Sequence, residues 1–147
     1  MEELKQTLRV VLANDFVSYF KAHTYHWNVE ASNFKEMHDF FGGLYEDLFG
    51  VFDQYAEELR ALDEYAPHSV SDLYKYNTID EDSSKPESVK EMLENLGSAN
   101  DQMIESLNKL FDVATANKKQ GLADLAAGRL DVHAKHGWMI RSYLKGN

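Results

Sequence analysis

The chain is 147 residues long, carries a net charge of −10 and has no cysteine. That length fits one domain able to bury roughly two thirds of its unfolded surface. A hydrophobic content of 44% is globular rather than disordered, and the absence of thiols excludes disulfides, cysteine metal sites and thiol catalysis.

An acidic surface repels phosphate backbones and attracts cations. Lys5, Arg9, Arg141 and Lys145 are scattered and form no basic arm, so DNA binding through tails is disfavoured. No stretch approaches the ~20 apolar residues that cross a bilayer. The opening residues Met1 to Lys5 lack the basic-then-apolar pattern of a signal peptide. The expected location is the cytoplasm.

Helical periodicity dominates the chain. Leu4, Leu8, Val11, Leu12, Phe16, Tyr19, Phe20 and His23 step by three and four, which predicts a helix over about 2–28. Glu30 to Asn33 form a short connection, with Asn33 and Glu36 spaced as a capping box. A second helix over about 34–64 carries Met37, Phe41, Leu44, Leu48, Phe52, Tyr55, Leu59 and Leu62 on one stripe and ends before Pro67. It has another stripe, His38, Gly42, Tyr45, Phe49, Asp53, Ala56 and Glu57. Aromatic, small and ligand-type residues on a second face point to a second packing partner; a wide buried face in a monomer is the alternative.

Residues 66–83 are a long connection, with a short helix over Val70 to Tyr76 and a solvated acidic run at Asp80, Glu81 and Asp82. Ser84, Lys85, Pro86 and Glu87 read as the start of the next helix, with Pro tolerated in its first turn. That helix holds Val89, Met92, Leu93, Leu96, Met103, Leu107, Leu110 and Phe111, and Ala114 to Gly121 form a turn. The last helix holds Leu122, Leu125, Leu130, His133, His136, Ile140, Tyr143 and Leu144. The expectation is an all-α, single-domain four-helix bundle over 1–147, with a short extra helix in the crossover between parallel second and third long helices.

The chemistry-bearing residues are His26, His38, Asp53 and Glu57. Two imidazoles and two carboxylates suit Fe, Zn or Mn. Asp53 and Glu57 are four apart and share a helix face. His38 and Asp53 on one helix lie about 22 Å apart along its axis. One metal cannot bind both in one subunit, so either the residues are unrelated or the site forms between two antiparallel copies of the helix. His23, one turn before His26, reads as a bundle or interface histidine, and His133 and His136 read as packing or hydrogen-bonding residues. Gly128 and Gly137 inside the last helix each cost about 1 kcal/mol relative to Ala, which close approach at a subunit contact would offset.

The run His26, Trp27, Asn28, Val29, with His38, Asp53, Ala56 and Glu57, closely resembles the Dps family of mini-ferritins within the ferritin-like superfamily. Lys135 to Leu144 resembles the family's closing motif, and the similarity covers nearly the whole chain. The resemblance implies a homododecameric shell with a ferroxidase site at each two-fold interface. There His26 and His38 of one subunit would face Asp53 and Glu57 of its neighbour. It further implies oxidation of Fe2+ with hydrogen peroxide, or oxygen, and storage of ferric mineral inside. Trp27 and Tyr45 are candidate redox residues beside the site, and Asp124 a candidate pore residue, with Lys119 and Gly128 at neighbouring pore positions. Asp39 and Glu46 are candidate mineral-nucleating carboxylates. The pattern departs at Gly42, where many members carry a carboxylate. Asp39 points roughly 100° away around the helix, so a second iron would be held weakly. Ala31 replaces a usual Gly, and Glu58 replaces a basic residue. Alternative readings are a nucleoid-associated DNA-protecting protein, a shell with weak ferroxidase activity, and a helical di-iron oxygenase; the last lacks paired Glu-x-x-His motifs.

Overall fold

The computed structural model describes residues 1–146. Five helices follow in order: α1 Glu2–Asn28, α2 Phe34–Ala61, α3 Val70–Tyr74, α4 Val89–Ala116 and α5 Gln120–Lys145. The four long helices and the short α3 match the periodicity, and the boundaries differ in instructive places. α2 stops at Ala61, three residues early, because Asp63 turns left-handed at φ 59° and the Glu64 N–H closes back on the Leu59 carbonyl. α4 begins at Val89 rather than near Ser84. Its N-cap is Ser88, whose hydroxyl accepts from the Glu91 N–H at 3.1 Å. Glu91 also reaches back to accept from the Glu87 N–H at 2.7 Å. α4 also runs through Ala114 to Ala116, so the expected turn shrinks to 117–119, with Lys118 at φ 59°. Asn33 makes no side-chain cap bond. Glu36 accepts from Asn33 Nδ2 at 3.5 Å and from the Tyr143 hydroxyl at 2.9 Å.

α1 packs against α2 and α4, and α4 against α5. Two apolar clusters fill the bundle. One gathers Leu8, Leu12, Val51, Tyr55, Leu107, Leu110, Leu122 and Ala126. The other gathers Tyr25, Met37, Phe41, Leu44, Leu93, Leu96 and Ile140. The end of α1 and the starts of α2 and α4 therefore share one end of the bundle, so α2 and α4 run parallel and residues 62–88 cross its full length. Side chains of α1 fasten this crossover. Asn14, fully buried, exchanges two bonds with Thr78 at 2.9 and 2.8 Å. Further along, Asp82 accepts from Lys21 at 2.8 Å and from the Tyr25 hydroxyl at 2.6 Å. Asp82 lies exposed in the loop, as expected, and its carboxylate also clamps the crossover and compensates the buried Lys21 ammonium.

Between the clusters lies a polar layer to which each long helix contributes. It comprises Asp15 and Ser18 of α1, Asp47 of α2, Asn100 of α4, and Arg129, His133 and His136 of α5. Arg129 forms a two-pronged pair with Asp47 at 2.9 and 2.6 Å. Burial and the neighbouring guanidinium push His133 down to about 3, so it is neutral. Gly137 fits here for a reason internal to the chain: a Cβ would lie 3.1 Å from Asn100 Nδ2 and 2.9 Å from Arg141 Nη1. At Gly128 a Cβ would meet nothing within 4 Å.

Asp15 is fully buried with neither oxygen hydrogen-bonded. Burial raises its pKa well above 3.8, opposed by Arg129. The folded state thus holds this proton more tightly than the unfolded chain. The favourable contribution is complete below the unfolded value near 3.8 and fades as pH rises through the raised folded value. Asp15→Asn is expected to match wild type at about pH 4 and to exceed it by about 1–3 kcal/mol at pH 8. Thermal unfolding across that range reads the divergence; parallel profiles would refute it.

Candidate metal centre

His26 sits in the last turn of α1 and His38 in the second turn of α2, and the short connection folds them together. Their rings stack with centroids 3.7 Å apart and an 18° interplanar angle. His26 Nδ1 donates to the His38 carbonyl, and His38 Nδ1 donates to the His26 carbonyl, each at 2.7 Å. A carbonyl only accepts, so each Nδ1 carries its proton and each Nε2 keeps a lone pair for a metal. Reciprocal bonding fixes both tautomers using backbone alone.

Gly42 is part of this seat. A Cβ there would lie 3.1 Å from His26 Nδ1 and 3.2 Å from Cε1. The His26 ring has settled onto α2 at this position. Ala would ordinarily improve the helix by about 1 kcal/mol, but here it must displace the ring. Gly42→Ala is expected to break the reciprocal His26–His38 bonds while the helix is retained. Imidazole nitrogen chemical shifts beside circular dichroism would check it, and unchanged shifts would show that the ring moves freely.

Asp53 and Glu57 lie one turn apart on α2, both exposed. Hydrogen bonding to Asp53 and its charge raise the Glu57 pKa. Two neighbouring carboxylates repel each other, and a cation would relieve that repulsion. The two histidines and the two carboxylates form separate pairs. Among the described residues no three metal-type donors converge within one chain. Geometry thus supplies two separate donor pairs.

Around the histidine pair runs an aromatic patch. His23 stacks on Tyr45 at 3.8 Å and 6°, touches Trp27 at 4.1 Å, and meets the Tyr19 hydroxyl through Nδ1 at 2.9 Å. Burial and His26 lower its pKa. Tyr45 also reaches His26, with centroids 5.2 Å apart, and Phe34 stacks on His38 at 5.1 Å. Phe20, Trp27, Phe34 and Phe49 on the same two helices are 45–60% exposed. The second stripe of α2 therefore faces outward over much of its length and is not a wide monomer core. Asp124 and Lys119 lie exposed at the start of α5, and Asp39 is paired with Lys35 at 2.9 Å. Sequence reading missed the polar layer. Its signal was Asp15, which falls on the apolar stripe three residues after Leu12 and seven after Leu8.

A family model described as Ferritin-like domain matches residues 5–146. General stress protein 20U of Bacillus subtilis is 27% identical, covering 97% of this chain and 98% of its own. DNA protection during starvation protein 2 of Bacillus anthracis is 26% identical, covering 95% and 97%. Dps from Thermosynechococcus elongatus superposes with a TM-score of 0.93 at 27% identity, over 97% of this chain and 90% of that one. Dps from Staphylococcus aureus gives 0.92 at 26%, over 98% and 96%. With a family model spanning nearly its full length and Dps proteins sharing its bundle, the chain belongs to the ferritin-like domain family and, within it, to the Dps proteins.

Proposed function

We propose that this protein is an iron-storing, iron-detoxifying ferroxidase whose site is completed between two subunits. Membership of the ferritin-like family supports iron handling and protection. The finer reading rests on one observation: with each Nδ1 bonded to a backbone carbonyl, His26 and His38 keep Nε2 for a metal, while Asp53 and Glu57 stand exposed on the same stripe of α2 as His38, too far along it to share an ion within one chain. Antiparallel pairing of two copies brings each half-site to its complement, and the exposed Phe20, Trp27, Phe34 and Phe49 supply an apolar surface for that pairing. The assembled form is a homododecameric shell. Fe2+ is the substrate. Each of two ferrous ions gives up one electron, and hydrogen peroxide takes both with two protons and leaves as water. Imidazole and carboxylate suit Fe2+, and carboxylate charge favours the ferric product. Zn or Mn would compete for the same donors. Trp27 and Tyr45 stand within ring contact of the histidine cluster and would intercept stray one-electron oxidants. Asp124 would line an entry pore. Protection of DNA then follows from removing iron and peroxide together, since a −10 surface does not favour a phosphate backbone.

Rapid mixing of the metal-free protein with Fe2+ and peroxide tests this. Fast, saturable loss of Fe2+ that is absent from the His38→Ala, Asp53→Ala protein is expected. Equal rates in both would leave a passive shell as the better account.

A further inference from the structure

The polar layer gathers a metal-type donor set around a cation that belongs to the protein. Arg129 Nη2 lies 2.6 Å from Asp47 Oδ2 and 3.4 Å from His133 Nε2. His136 Nε2 lies 3.6 Å from the same Asp47 oxygen. Asn100 fixes the His133 tautomer. Its Nδ2 donates to the His133 carbonyl at 2.9 Å, which leaves Oδ1 as the acceptor 2.8 Å from His133 Nδ1. The Nε2 lone pair therefore points at the guanidinium. Asp15, fully buried on α1 within the electrostatic reach of Arg129, has two unpartnered oxygens, and Arg129 Nε has no acceptor.

Two carboxylates, two imidazoles and an orienting amide on inward-facing helix positions are the components of a transition-metal site. The guanidinium lies between Asp47 and His133. Its planar, permanent charge satisfies Asp47 through two bonds without requiring the other donors to converge, and they do not converge in the described chain.

We infer that Arg129 is a tethered cation filling a latent metal site made by Asp15, Asp47, His133 and His136, and that it is the residue keeping transition metals out of the bundle interior. The inference goes beyond the interface reading and does not depend on it.

The test begins with the full chain carrying His38→Ala and Asp53→Ala, so the outer donors are disabled whatever their role. Co2+ is titrated into this parent, into the parent with Arg129→Ala, and into the parent with Arg129→Lys. The expected result is one additional Co2+ per chain in the Arg129→Ala protein only, with ligand-field absorption in the visible and a rise in its unfolding temperature on adding Co2+. Arg129→Lys, which keeps a tethered cation, should match the parent. Adding Asp15→Asn to Arg129→Ala should weaken Co2+ binding by about tenfold or more. An Arg129→Ala protein that takes up no extra Co2+, or one that is unfolded and not rescued by Co2+, overturns the assignment. So does equal uptake with Arg129 retained.

Discussion

Mixed shells of His38→Ala and Asp53→Ala subunits should recover Fe2+ oxidation that neither variant shows alone. Each homogeneous variant damages every site, and loss of a ligand should lower metal affinity by more than the roughly 10- to 100-fold seen when an orienting residue is removed. In a mixed pair the damage is redistributed. One site combines the mutant histidine half with the mutant carboxylate half, and the other combines two native halves. With random one-to-one assembly, half of the two-fold contacts are mixed and each holds one intact site, so about a quarter of wild-type sites return. The variants are dissociated, mixed, reassembled and assayed by rapid mixing with peroxide. No recovery in verified mixed shells would mean that the two pairs never shared a metal. The prediction follows from the separation of His38 and Asp53 along a single helix and from the outward face that both occupy.

Arg129→Ala should be the most destabilising single change in the bundle, at about 3–5 kcal/mol in the metal-free protein. The pair with Asp47 is two-pronged, at 2.9 and 2.6 Å, and the Arg129 side chain is only 10% exposed. Removing the cation strands the Asp47 carboxylate beside Asp15, whose own ionisation is already disfavoured by burial. Most of the loss is the penalty for that stranded charge, so adding Asp47→Asn to Arg129→Ala should recover part of it. Denaturant unfolding at a fixed subunit concentration, needed because assembly shifts apparent stability, measures both. A loss below about 1 kcal/mol, or no recovery in the double variant, would show that solvent reaches Asp47 and compensates it.

Much of this protein was legible in one dimension. A residue's place on an α-helix follows from its number, so steps of three and four located four long helices and put Asp53 and Glu57 on one face. The same arithmetic separated His38 from Asp53 and required a second chain for any shared metal. Helix ends were less legible. Ser84 with Pro86 and Ser88 with Glu91 both look like starts, and only backbone geometry selected Ser88. Tertiary structure alone decided matters that depend on which turns of different helices lie at one height. It bonded His26 and His38 to each other's carbonyls and so fixed two tautomers. It used Gly42 as the floor under a ring, gave the loop acid Asp82 two partners in Lys21 and Tyr25, and brought Asp15, Asp47, Asn100 and Arg129 into one layer. Those residues are tens of positions apart on four helices, and no periodicity within one helix encodes the level at which another crosses it. The sequence therefore determined the elements and the chemistry each could offer, while packing determined which donors meet and which cation they hold.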